Sequence, residues 1–204
     1  MYALVENNQI TKLINNPKSL VIGDVNYPAK IFSVWSQSEL NAIGIYEVIT
    51  DLTNKKDEAW YINTNESYAF ADNQVTRSWG SATAKAHADT TWTQQDSDDG
   101  LIPSDKSIGD IKTRGLKYNL IQNIKKQAAG ILKDTDWYVV RKADAGTEVP
   151  SAITTHRAAV RTKCAEMETS ITNAADVDAL AALYVYNNAN PPVRPLGEFP
   201  VLES

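Results

Sequence analysis

Apolar and polar residues alternate in two different ways along this chain. Up to residue 83 the apolar positions come in short runs, broken by Asn, Asp and Lys clusters. "YALVE", "QITKL", "SLVIGDVNYP", "IYEVIT", "EAWYINT", "YAFAD" and "QVTRSW" are rich in β-branched and aromatic residues and read as strands. Asn7-Asn8, Gly23-Asp24 and Asp72-Asn73 mark tight turns, because these residues tolerate positive φ. The alternation in "AWYINT" and "SYAFA" predicts a sheet with one solvated face. One short helix interrupts the strands. In "WSQSELNAIG", Ser36 and Glu39 form a capping box, Leu40 and Ile43 make an apolar side, and Gly44 stops the helix.

From about residue 108 the period lengthens. Leu116, Leu120, Ile124, Ala128, Ile131 and Leu132 recur at spacings of three and four, so a helix is predicted to end near Lys133. A loop through Gly146 and Pro150 follows. Ser151 caps a second helix, with Ile153, His156, Val160, Cys164, Met167 and Ile171 on one stripe. A third begins near Asp176 and faces inward through Val177, Leu180, Ala181 and Tyr184. The expected fold class is α+β: a small antiparallel β-rich domain over 1–83, a linker over 84–107, a helical domain of two to three helices over 108–186, and an extended arm over 187–204. Pro191, Pro192, Pro195 and Pro200 exclude helix from the arm. Its apolar residues imply docking on another chain. Trp92 within the linker is expected to pin that segment to one of the domains.

Composition adds limits. The chain has 204 residues, 43% hydrophobic and 22% charged, which suits a folded globular protein. Its net charge of -5 gives no nucleic-acid footprint, although residues 105–171 hold 12 basic and 8 acidic side chains, a balance of +4. Cys164 is the single cysteine, so no intrachain disulfide can form. "MYALVENNQITKL" lacks a basic region followed by an apolar run, so no secretion leader is expected. No stretch approaches the roughly 18 apolar residues that span a bilayer, so no membrane association is expected.

Candidate chemistry is sparse. His156 lies on an apolar stripe and reads as a packing residue; His87 has no evident partner. Neither stands in a zinc-ligand pattern. "DSDDG", residues 96–100, has the alternating carboxylates of a calcium loop. Its glycine comes one position early and Ser107 stands where a closing glutamate belongs, so it reads as a solvated acidic turn. No phosphate loop, nucleophile elbow or zinc motif occurs. The expectation is a protein with no catalysis, no cofactor and no metal. Five tryptophans and nine tyrosines lean instead towards protein–protein contact.

"LKDTDWYVVRKADAGTEVPSAITTHRAAVR", residues 132–161, resembles the C-terminal module of bacteriophage tail-fibre assembly proteins, also called tail assembly chaperones. The matching positions are Ile131-Leu132, Asp136-Trp137, Val149-Pro150, His156-Arg157 and Val160-Arg161. His156 departs from the pattern, where a tyrosine is usual. Residues 174–186 look like the short closing helix of that module. "GDVNYPAKIFSVWSQSELNAIGIYEV", residues 23–48, is similar to the leading domain of many phage tail-associated proteins. The resemblance implies a protein that helps assemble or attach tail fibres, with a structural component of the tail or baseplate as the alternative. It implies a tail-fibre or baseplate partner or a second copy of the chain, and work in the host cytoplasm or in the virion tail. Trp137 is expected as a buried plug between two helices. Arg157 and Arg161, one turn apart, are expected to reach Asp134 or Asp136. The candidate partner-binding residues are Arg157, Arg161, Pro195, Leu196, Phe199 and Leu202.

Overall fold

The structure is a computed structural model and describes residues 1–202; Glu203 and Ser204, the end of the expected arm, lie outside them. The fold is α+β: a curled sheet comes first and helices follow. The chain divides into two compact units, Met1–Thr83 and Ala84–Ser204.

The first unit contains strands β1 (Tyr2–Glu6), β2 (Gln9–Ile14), β3 (Leu20–Ile22), β4 (Val25–Tyr27), β5 (Ile45–Thr50), β6 (Tyr61–Ile62), β7 (Ser67–Ala71) and β8 (Gln74–Ser78), and the two residues of β9 (Thr83–Ala84) stand at its boundary. Two short helices, α1 (Ile31–Val34) and α2 (Gln37–Ala42), lie between β4 and β5. The main sheet has the order β2-β1-β5-β8-β7. Its turns follow from side-chain chemistry. Asn7 and Asn8 (φ 51° and 61°) join β1 to β2, and Asp72 and Asn73 (φ 51° and 58°) join β7 to β8. Ser36 and Glu39 close the capping box of α2, with the Ser36 amide donating to Glu39 Oε2 at 2.7 Å.

Two features differ from the expected one-faced antiparallel sheet. β5 and β8 are parallel, and the crossover that such a pair requires runs through β6 and β7. β1 is covered on both sides. Leu4 packs with Ile14, Leu20, Ile31, Leu40 and Ile45, while Ala3 and Val5 pack with Val75. α1 was not anticipated, because its four residues are too few to show a period.

The second unit carries β10 (Thr90–Thr91), α3 (Gln94–Asp98), β11 (Ile111–Thr113), α4 (Leu116–Lys133), α5 (Asp136–Ala145), α6 (Ser151–Asn173) and α7 (Val177–Ala182). α4 packs along α6. Ile124 and Ala128 from α4, Ile153, Val160, Met167 and Ile171 from α6, and Val177 and Leu180 from α7 are buried. Asp176 caps α7, accepting from the Ala179 amide at 2.8 Å. Ser151, expected as a cap, is the first residue of α6, after Pro150.

Residues 84–107, expected as a linker, are built into this unit. β10 pairs with β11, and the Trp92 amide donates to Asp110 O at 2.9 Å. "DSDDG" is solvated at Ser97, Asp98, Asp99 and Gly100, as expected, but its first three residues are the end of α3 rather than a turn. Asp96 is buried and closes a capping box on Thr93, and it accepts from Lys112 Nζ at 2.5 Å. Asp98 and Asp99 accept from Gln94 and Gln95. Among the described residues no group of His, Cys, Asp and Glu is placed to hold a metal ion, and no helix is long and apolar enough to cross a membrane.

Lys112, then Thr93, hold the Asp96 carboxyl down at about 2, against an ordinary 3.8. A depressed carboxyl stabilises the fold above its unfolded value, and that contribution is lost as pH falls through the folded one. The α3 clamp is therefore expected to survive at pH 4 and to let go near pH 2. An NMR titration of the Asp96 carboxyl carbon checks this, and a midpoint near 3.8 would contradict it.

Candidate protein-binding surface

α5 occupies the stretch expected as a loop, and its two ends explain why. α4 stops at Lys133, and Thr135, which is buried, turns the chain by donating its hydroxyl to Leu132 O at 3.0 Å. Asp136 then opens α5 with a negative charge in its first turn, where the helix dipole favours one. Gly146, with φ 69°, ends the helix and donates its amide to Lys142 O at 3.0 Å. The aromatic and β-branched run "WYVVR" is a weak helix former. The terminal turns supply what its propensity lacks.

No residue of α5 is buried. Trp137 is 52% exposed, Val139 45% and Val140 65%. This overturns the expectation of a buried Trp137 plug. Thr135 and Arg157, not Trp137, fill the junction between α4 and α6. Trp137 instead stacks on Tyr138, with ring centroids 4.1 Å apart. The Arg141 guanidinium, one turn on, lies 4.6 Å from the Trp137 ring and 5.4 Å from that of Tyr138. The three side chains stiffen one another at low entropic cost, and Trp, Tyr and Arg are the types that dominate binding energy in protein interfaces.

The six candidate residues part company. Arg157 is buried: Nη1 donates to Leu132 O at 2.7 Å and to Thr135 Oγ1 at 2.6 Å, and Nη2 pairs with Asp136 at 2.8 Å. Its reach to Asp136 was expected, but at 8% exposure, with three of its five N–H donors bonded within the chain, it turns inward and presents little to a partner protein. Leu196 is also buried, 1% exposed, with its amide donating to Leu183 O at 3.0 Å. At Leu196 the arm thus docks on its own unit, at the end of α7, and that residue is not open to a partner as expected. Arg161 is exposed, and its Nη1 donates to Arg157 O at 3.4 Å. Pro195 is exposed and lines a depression with Val185, Tyr186 and Val193. Phe199 and Leu202 come together with Ile131, Thr135 and His156 around a cavity of about 320 Å³.

The remaining chemistry is quiet. Burial, then a bond to Glu168, pushes the Cys164 thiol up, away from the reactive thiolate. His87 is half-buried and its carbonyl accepts the Lys117 amide. Tyr138, Val139, Val140 and Arg141 were missed as surface residues. The Trp137-to-Arg141 spacing of one helical turn was the available signal.

Trp137→Ala is expected to leave stability nearly unchanged, within about 1 kcal/mol, because the side chain is half in water. A denaturant midpoint checks this; a loss of 3 kcal/mol or more, on the order of a core aromatic deletion, would restore the plug.

Comparison with family models, with curated proteins and with solved structures finds no match.

Proposed function

We propose that this chain is a non-catalytic phage tail-fibre assembly protein, whose helical unit holds a fibre protein through the outer face of α5 until the fibre trimerises. The observation that carries the reading is a helix with no buried residue that presents a stacked Trp137–Tyr138–Arg141 set, with the exposed Val140 on the flank next to Trp137. A helix of this composition gains little by facing water, and much by covering the apolar end of an unassembled fibre chain. Of the residue pairs that carry the tail-assembly resemblance, Asp136-Trp137 falls on that same helix, while Ile131-Leu132 end α4 and His156-Arg157 and Val160-Arg161 lie on α6. The protein would act in the cytoplasm of the host, with no cofactor.

Co-expression with the fibre protein of the same phage tests the reading. Soluble fibre trimers should appear with the wild-type chain and be lost with Trp137→Ala combined with Val140→Asp. Fibre solubility that ignores the chain would overturn it. A second reading, a connector built into the tail or baseplate, is favoured by the exposed Val185, Tyr186 and Val193 beside the proline-rich arm. Mass spectrometry of purified virions separates the two: absence fits the assembly factor, and stoichiometric presence the connector.

A further inference from the structure

The last described residues of the chain lie across α6 in an unusual way. The arm is fastened at its root, where Leu196 is buried and Gly197 turns with φ 75°. Beyond that root the hold is weak. Residues 199–202 make no hydrogen bond among the described residues, and Val201 is 83% exposed. Pro200, Val201 and Leu202 border two cavities at once. One, of about 320 Å³, opens towards Ile131, Asp134 and Thr135; the other, of about 410 Å³, opens towards Ala152, Thr155 and Ala159. His156 lines both. It is 8% exposed, and its Nδ1 finds no hydrogen-bond partner among the described residues. Pro200 has no backbone N–H to offer it.

We infer that this cleft, between the end of α4 and the first half of α6, is a peptide-binding groove that residues 199–202 occupy in cis, and that an extended, apolar, proline-containing segment of a partner protein displaces them. The chain's own Phe-Pro-Val-Leu shows the chemistry that the groove accepts. It also underfills the space on both sides, so dispersion contacts are left unmade. A partner segment that fills those spaces and places a backbone group against His156 Nδ1 gains contacts that the strap lacks. The strap competes by being attached, so it sets a threshold that only a well-matched segment passes. The groove is a different surface from the face of α5, and the inference stands whether or not the reading of that face does.

The probe is a fluorescein-labelled peptide, Gly-Glu-Phe-Pro-Val-Leu, followed by anisotropy with the full chain. A closed strap weakens apparent affinity by the fraction of time the groove is open. The full chain carrying Phe199→Ser and Leu202→Ser is expected to bind about ten-fold more tightly than the wild type. Adding Ala159→Glu to that variant should abolish binding. Equal affinity in the wild type and the strap variant would overturn the inference, as would binding that survives Ala159→Glu. The wild-type chain gives an independent readout that needs no variant. Excess unlabelled peptide should shift the NMR signals of the His156 ring and the Val201 methyls while leaving the Leu196 amide in place; signals that stay put at saturating peptide overturn it.

Discussion

Arg157→Ala is expected to lower stability by about 3 kcal/mol, read as a fall in the denaturant midpoint. Arg157 sits at the junction where α4 ends, α5 begins and α6 passes by. Its guanidinium satisfies Leu132 O, one of the orphan carbonyls at the end of α4, and holds Thr135 and Asp136 in the turn. Removal takes the charged donor away from Leu132 O and Thr135 Oγ1, which keep their bond to each other and the Thr135 amide, and opens a cavity. The loss falls short of what a fully buried ion pair would show, because the Asp136 side chain is 55% exposed and water can take it back. For the same reason Asp136→Asn should cost much less, about 1 kcal/mol or under. Arg157→Lys should not rescue the arginine, since one ammonium cannot reach acceptors on both sides of the turn in the planar fork geometry. An Arg157→Ala protein as stable as the wild type would mean that the junction is held by something else.

Gly115→Ala is expected to cost about 3 kcal/mol. Gly115 precedes α4 with φ -82°, a conformation that any residue adopts, so its backbone does not demand glycine. Space does. A Cβ there would overlap the carbonyl of Ala88. That backbone has little room to retreat. The amides of Leu116 and Lys117 donate to Ala86 O and His87 O, each at 2.9 Å, and Asp89 accepts from the Gly115 amide at 2.8 Å and from Arg114 at 2.6 Å. The first amides of α4 are thus capped by the segment that enters it, and a methyl group would push the two apart. Thermal melting of the variant checks the size of the effect. No change in midpoint would mean that residues 86–89 are not seated on α4.

That seat marks where the sequence stopped being legible. Residues 84–107 read as a linker because their polar composition has no period, and the bonds that fix them come from residues 110–117, 16 to 30 positions on. Local rules worked where local chemistry decides. The Asn7-Asn8 and Asp72-Asn73 turns, the Ser36 box and the long stripes of α4 and α6 follow from side chains a few residues apart. α5 escaped because its existence rests on Thr135, Gly146 and a distant Arg157 rather than on propensity. Trp137 was misplaced for the same reason: a tryptophan after a helix end looks like a plug, until a second helix turns it outward. Leu196 gave no sign of the core that it enters, because nothing in an extended proline-rich arm says which way it folds.

The central claim is that the outer face of α5 is where this protein holds its partner. Hydrogen exchange read by mass spectrometry, on the chain alone and with the fibre protein added, tests it most directly. The account predicts slowed exchange across Asp136–Ala145 in the complex, with residues 1–83 unchanged. Exchange in α5 that the fibre protein leaves as it was, or protection confined to residues 1–83, would contradict it.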